Sequence, residues 1–436
     1  MSITIVRRAR AAFAASLLAP GLESDERHNY RHLLINGACF GPVDGGILTY
    51  LPVFLARLGA SPSLLGLLTS GPSLVAMLSY IPGGAYAERH SNLVRLVASS
   101  SLITRTSYIL IAVLPFILTP AYIPVAVVAL WSLTAIPSGV MIAAWTAVMQ
   151  KAVSSRHRAQ LNGTRWGLMG VVSAISMALF GNLLDRTPFP GGYQFVFAAS
   201  FVANLAHVYF WLKVRVPPFV PDRSAFAQGK DLAQRLRAFF RPFAQSHPFV
   251  RYNLATLAYR LALNMPAALF SIFWVKDLQA SDTWIGLRGT AGYAALVMGY
   301  AFWGRMANRL GHRNLLLICG TGLGFYPLLT ALVPSMQRLL PVAIVWGFTA
   351  AAIDIGFFDM LLSVCPEGRQ PSFAAAANVL ANLAAFVGPL LGALLAQILS
   401  VRSALLVSGV LQVICVAFFF LLPSREQEGL SPTIRA

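Results

Sequence analysis

Asp44, Arg105, Arg260 and Asp354 each stand near the middle of a long apolar run. A charge at the centre of a bilayer costs about 2.5–3.5 kcal/mol on insertion scales, so such residues point to proton transfer, binding of a charged solute, or pairing with one another. The aspartates could carry a proton or meet a cation. The arginines could meet an anion or neutralise an aspartate. His207 and Asp359 lie nearer the ends of their runs. No phosphate-cradling glycine loop, metal-ligand spacing or nucleophile–base pair accompanies them, so the expectation is a protein without enzymatic activity, metal or cofactor.

The segment around Asp44 reads FGPVDGGILTY, residues 40–50. Gly37, Gly41 and Gly45 recur every four residues and form a nearly side-chain-free stripe beside Asp44. Pro42 removes one helical hydrogen bond, which a membrane helix tolerates where protein or water re-satisfies the backbone. A bendable helix carrying one carboxylate is expected. Two readings stay open for Asp44: a proton carrier or cation partner, and a buried ion pair with Arg260. For Arg260 the alternatives are anion recognition and neutralisation of Asp354. Arg105 reads as structural or snorkelling.

The elements that must position these residues follow from composition. The chain has 436 residues, 57% hydrophobic and 11% charged. Soluble domains carry about 25% charged residues, so the class is an all-α membrane protein. Twelve runs of spanning length fall near 31–56, 63–86, 93–114, 122–149, 162–184 and 193–213, then 250–274, 283–305, 314–333, 339–363, 373–398 and 402–422. They predict an N-terminal tail (1–30), a six-helix bundle (31–214), a central loop (215–248), a second six-helix bundle (249–423) and a C-terminal tail (424–436). The loop is proline-rich and basic, with an amphipathic piece near 231–240 that could lie on the lipid surface. Four scattered cysteines read as small packing residues.

The net charge of +18 is a topology signal. With both termini inside, tails and loops on that side hold 25 of the 33 lysines and arginines. The outer segments hold Arg57, Arg186, Lys276, Arg288, Arg338 and Arg402. A multi-pass protein of the cell membrane with cytoplasmic termini is expected, with a lipid bilayer and no nucleic acid as its surroundings.

The two halves repeat each other. At an offset of 220, LARLGASPSLLG (55–66) meets WVKDLQASDTWIG (274–286), pairing Ala60 with Ala280, Ser61 with Ser281 and Gly66 with Gly286. The same offset pairs Gly84 with Gly304 and Arg89 with Arg309, and brings Asp44 onto Asn264. Arg260 lies four residues before Asn264, on the same helical face. Later the offset falls to 211 and pairs Arg158 with Arg369.

The short turn after each second span carries GAYAERHSNL in the first half and GRMANRLGHR in the second. With twelve spans in two sixes, these turns make the chain resemble the major facilitator superfamily, whose loop signature is G-x-x-x-D-R-x-G-R-[RK]. Gly304, Arg309, Gly311 and Arg313 keep it, with Asn308 in place of the acid; Gly84, Glu88 and Arg89 keep the first half's share. The resemblance implies two pseudo-symmetric six-helix bundles, a central cavity lined by spans 1, 4, 7 and 10, and a cytoplasmic gate. That gate would comprise Gly84, Glu88, Arg89, Arg158, Gly304, Asn308, Arg309, Gly311, Arg313 and Arg369. Asp44, Arg260, Asn264 and Asp354 would then be the substrate and proton-coupling set. Phe40, Tyr50, Trp131, Trp145, Tyr259, Trp346 and Phe357 would be the cavity aromatics. The arginine many proton-coupled members carry in span 4, and the Gly-Pro motif many exporters carry in span 5, are missing here. The expected function is secondary transport of a small solute by a monomer through alternating access, with a proton as candidate co-substrate. The rival is a transporter-shaped sensor or scaffold.

Overall fold

The computed structural model describes residues 21–219, 221, 246–365 and 370–422. The amphipathic piece near 231–240, both tails up to residue 20 and from residue 423, and Arg369 lie outside the described residues. Among the described residues twelve long helices follow one another, here α1 to α12. The first half holds α1 (Ser24–Arg57), α2 (Pro62–Glu88), α3 (Leu93–Ile117), α4 (Ile123–Ala152), α5 (Ser155–Arg186) and α6 (Gly191–Leu212). The second holds α7 (His247–Asp277), α8 (Asp282–Leu310), α9 (His312–Leu332), α10 (Leu339–Val364), α11 (Gln370–Ile398) and α12 (Val401–Leu421).

Eleven of these contain a stretch long and apolar enough to cross a membrane; α8 does not qualify. It packs along α10 of its own half and α5 of the other, so its polar side chains sit against protein instead of lipid. Elsewhere the usual pattern is inverted: Phe116, Ile103 and Leu179 turn 77%, 66% and 65% of their surface outward. Such a belt suits hydrocarbon, where every backbone group is already satisfied within its helix.

The repeat is built into the backbone. Ser61 and Ser281 are the N-caps of α2 and α8. Just before them, Gly59 and Gln279 both adopt positive φ, +82° and 48°, so the second copy places a glutamine where the first uses glycine. The first helix of each half breaks at the same repeat position. In α1 a π-turn runs over Asp44–Leu48, with Gly46 at φ −102°, ψ −105°. In α7 the helix stops at Asn264, passes Pro266 and resumes at Leu269. The halves meet along two seams, α5 on α8 and α2 on α11, which the repeat exchanges for one another.

Where the core lies shows how the halves are joined. One apolar cluster draws Tyr50, Phe54 and Phe197 from the first half and Phe273, Trp274 and Leu339 from the second. Toward the basic loops the core divides. Tyr30, Val97 and Trp211 belong to a first-half cluster, while Tyr252, Trp303 and Met360 belong to a second-half one. The halves are therefore packed together at the end opposite the basic loops and apart at the basic end.

Candidate functional site

The glycine stripe of α1 is where that helix meets α5. A Cβ on Gly41 would run into Val172, and one on Gly45 into the backbone of Ser173. This approach carries Asp44 to the junction of α1, α5 and α8. Its carboxylate faces the Ser173 hydroxyl and, from the other half, the Tyr293 phenol. Neither closes a good hydrogen bond: Asp44 Oδ2 and Ser173 Oγ are buried without a partner. The break beneath is repaired from α6, where Ser200 Oγ accepts from Ile47 N (3.2 Å) and shares its one proton between Val196 O (2.9 Å) and Pro42 O (3.2 Å). Thr49 Oγ1 donates to Asp44 O (2.8 Å). A proline, a glycine pair and one serine thus free a carboxylate from regular helix while the Ile47 N–H and the Asp44 carbonyl keep side-chain partners.

The other expected site residues lie in the second half. Asp354 accepts from Tyr300 Oη at 2.7 Å, and Arg260 lies near enough to act on it electrostatically. The Arg260 guanidinium stacks over Phe357, 4.3 Å from its ring centre. No ion pair within 4 Å joins Arg260 to Asp354 or to Asp44 among the described residues. Asn264 Nδ2 donates to Arg260 O (2.7 Å), while its Cβ abuts Gly388 of α11, so it ends the first part of α7 packed against a neighbour in its own half.

Of the residues expected at the basic-end gate, Gly84 and Gly304 face open space. Glu88 ends α2 exposed, with Arg89 as its C-cap. Arg158 donates to Gln150 O (2.9 Å), tying α5 to α4 within one half. Arg309 lies in the last turn of α8, followed by Gly311 at φ +78°. Arg313 stacks over Phe420, 5.2 Å from its centre. Nothing is described of the Asn308 side chain.

Sequence reasoning missed three features. The first is a polar clasp at the opposite end. Arg57, the last residue of α1, places Nη2 2.9 Å from Asp282 Oδ1 at the start of α8, and Tyr193 Oη donates to the same oxygen at 2.7 Å. Asp185 at the end of α5 accepts from Asp282 N (2.7 Å) and Thr283 N (2.9 Å), while Ser281 makes no side-chain cap. The N-terminus of α8 is thus capped by an acid from the other half. The repeat gave no hint, because Asp282 falls opposite Pro62.

The second concerns Arg288, which the charge count assigned to an outer segment. It lies two turns inside α8, in a cavity of about 350 Å³ reached by Thr49 and Met177 of the first half. Trp274, Trp346 and Tyr326 surround its guanidinium at 4.8, 5.1 and 5.2 Å. The third is Arg165, counted on the cytoplasmic side but buried inside the first bundle near Arg105 and His207. In both cases the arginine sits near a helix end, where a run of apolar residues cannot tell an inward face from a loop.

The family model described as Major Facilitator Superfamily matches residues 33–250 and 252–436. The multidrug resistance protein MdtG of Dickeya zeae is 27% identical over 163 residues, 36% of this chain and 40% of that protein. The chain thus aligns with less than half the length of this relative. Among solved structures, an inward-facing bacterial homologue of the human lysosomal transporter Spinster superposes with TM-score 0.66 at 15% identity, covering 92% of this chain and 97% of that one. An inward-facing bacterial homologue of the iron transporter ferroportin gives TM-score 0.67 at 15% identity over 90% and 98%. These likenesses show the fold. With the family model spanning nearly the whole chain, they make this a multi-pass membrane protein that belongs to the Major Facilitator Superfamily of transporters.

Proposed function

We propose that the chain moves a small solute by alternating access, with Asp44 as its proton-carrying group. The observation that carries the reading is the setting of Asp44. A carboxylate with an unsatisfied oxygen sits on a broken turn of α1, facing α5 of its own half and Tyr293 of the other. A proton gained or lost there alters a contact between the halves, which is what coupling requires. The divided core at the basic end supports an inward-facing arrangement if that end is cytoplasmic, as the charge asymmetry indicates. The solute would enter between the bundles (31–214 and 249–423) in a cell membrane, and the basic turns with Glu88, Arg89, Arg158 and Arg309 would close that end in the other state. Arg260 and Asp354 would contribute to the solute site from the second half.

The test is a thermal-shift screen of purified protein against a solute library across pH, with Asp44→Asn beside wild type. The expected result is a ligand whose stabilisation varies with pH in wild type and is flat in the variant. Identical pH profiles in the two proteins would make Asp44 a structural residue.

A further inference from the structure

The first bundle encloses a second cavity, of about 230 Å³, one turn along α1 from Asp44 toward the basic end. Its contents are unusual for a membrane interior. Arg105 of α3 and Arg165 of α5 both line it, with only 7% and 8% of their surface exposed. Among the described residues neither pairs with a carboxylate. Arg105 Nη1 reaches the Ser101 hydroxyl and Arg165 Nη2 donates to Asn36 Oδ1 at 3.2 Å, but both Nε–H groups are buried without a partner. A guanidinium carries five N–H donors, so most of this donor capacity is unspent.

The remaining wall shapes what could spend it. Phe40 lies under Arg105 at 5.0 Å and Trp145 beside Arg165 at 5.8 Å. Met141 approaches Arg105 through sulfur at 4.0 Å. His207 Nδ1–H donates to Asn36 O at 2.8 Å, so that ring nitrogen is already used, and both guanidiniums lie close enough to act on the ring electrostatically. Two buried cations with spare donors against aromatic and thioether walls are costly when empty. They become favourable when an anion fills the space between them. Cation–π contacts offset only part of that cost.

We propose that this cavity binds an organic carboxylate, with the anionic head on Arg105 and Arg165 and an aromatic or aliphatic body against Phe40, Met141 and Trp145. The proposal names the substrate class of the transporter reading above and rests on that reading. Cavities for drug-sized ligands run from about 300 to 1,000 Å³, so this one suits a one- or two-ring acid. Phe40 and Asp44 are four residues apart on α1, and Tyr108 lies near both Asp44 and Arg105. A bound anion would therefore sit within electrostatic reach of the proposed proton carrier.

The experiment is isothermal titration of the full-length protein in detergent, with 2-naphthoate, its neutral amide, the cation 2-naphthylmethylammonium and inorganic phosphate. Naphthoate is expected to bind saturably at one site, at least about tenfold tighter than the amide, a gap of roughly 1.4 kcal/mol. The cation and phosphate are expected to bind more weakly still. Arg105→Gln and Arg165→Gln should each weaken naphthoate by at least about tenfold, since each removes charge-assisted donors. Arg338→Gln, on the far surface, should not. The ligand series on wild type decides the matter even if an arginine variant fails to fold. No saturable binding of naphthoate, equal affinity for acid and amide, phosphate binding tighter than naphthoate, or affinity unchanged in both variants would overturn the proposal. Because binding is read without transport, naphthoate bound equally by Asp44→Asn would leave this site standing. Loss of pH-linked stabilisation in that variant, without any naphthoate site, would sink this proposal alone.

Discussion

Asp282→Asn removes the one carboxylate on which three donors of the clasp converge: Arg57 Nε at 3.2 Å, Arg57 Nη2 at 2.9 Å and Tyr193 Oη at 2.7 Å. The Asp282 side chain is 6% exposed and that of Arg57 27%. Breaking a fully buried pair by neutralising one partner costs about 3–5 kcal/mol, because the survivor is left charged and desolvated. Arg57 is partly reached by water and keeps Ala280 O at 2.9 Å, so about 2–3 kcal/mol is the better figure here. The loss falls on the state in which the halves are clasped, because the two residues belong to different halves. It should move the balance toward the unclasped state by roughly 30- to 150-fold. Spin labels at Arg186 and Arg338, both exposed and on opposite halves, would read this as a new population at longer distance. Arg57→Gln should do the same, and the double variant should lose less than the sum of the singles. Strict additivity, or unchanged distances in both single variants, would refute the reasoning and reduce the cluster to an independent surface contact.

Two further outcomes test the backbone argument. Ser200→Ala leaves the buried Ile47 N–H without its acceptor, so a loss of about 1–3 kcal/mol is expected as a lowered unfolding midpoint; an unchanged midpoint would mean that another group closes the α1 break. Gln279→Gly relieves a left-handed backbone that costs a side-chain-bearing residue about 1–2 kcal/mol, against roughly 0.5–1 kcal/mol of added chain entropy, so stability should rise by up to about 1.5 kcal/mol. A stability gain of the same size in Gln279→Ala would show that the strain argument is wrong.

The sequence carried the fold more completely than it carried the site. Span count, grouping and repeat are written in the period of apolar residues; the glycines and proline around Asp44 pointed to a bend in α1, whereas the α7 break at Asn264, its repeat partner, was not foreseen. Asp44 itself was legible because an acid amid glycines has no ordinary use in an apolar run. The clasp was not, because its members sit at helix ends where charges are normal and because it joins residues 225 positions apart. Arg165 and Arg288 were hidden for the same reason. Which side of a helix end faces inward depends on packing partners, and apolar periodicity fades where a helix such as α8 is covered by protein on two sides.

The two seams exchanged by the repeat are alike in backbone but differ in how many polar contacts line them, and the difference bears on how such a molecule could move. At the α2–α11 seam Gly66 lies against Pro389 and Ala393, a close contact of small groups, with polar contacts at Ser63–Gln397 toward one end and Tyr80–Asn382 toward the other. At the α5–α8 seam the small positions Gly181 and Gly286 are matched by polar contacts along its length. These run from the clasp, past Tyr50 Oη at 3.4 Å from Asp282 O, to Thr290 Oγ1 donating to Ala174 O (2.7 Å), with Asp44 and Tyr293 beside them. Polar contacts can be exchanged for water at modest net cost, because each lost hydrogen bond is replaced by another. Small apolar contacts have no such replacement, but they have no directional bonds to break when helices slide. On the proposed alternating-access reading, a rocking motion would exchange the longer run of polar contacts between α5 and α8 for water, while α2 and α11 would part with fewer such exchanges. On that reading Asp44, the proposed proton carrier, lies on the seam with the more polar contacts.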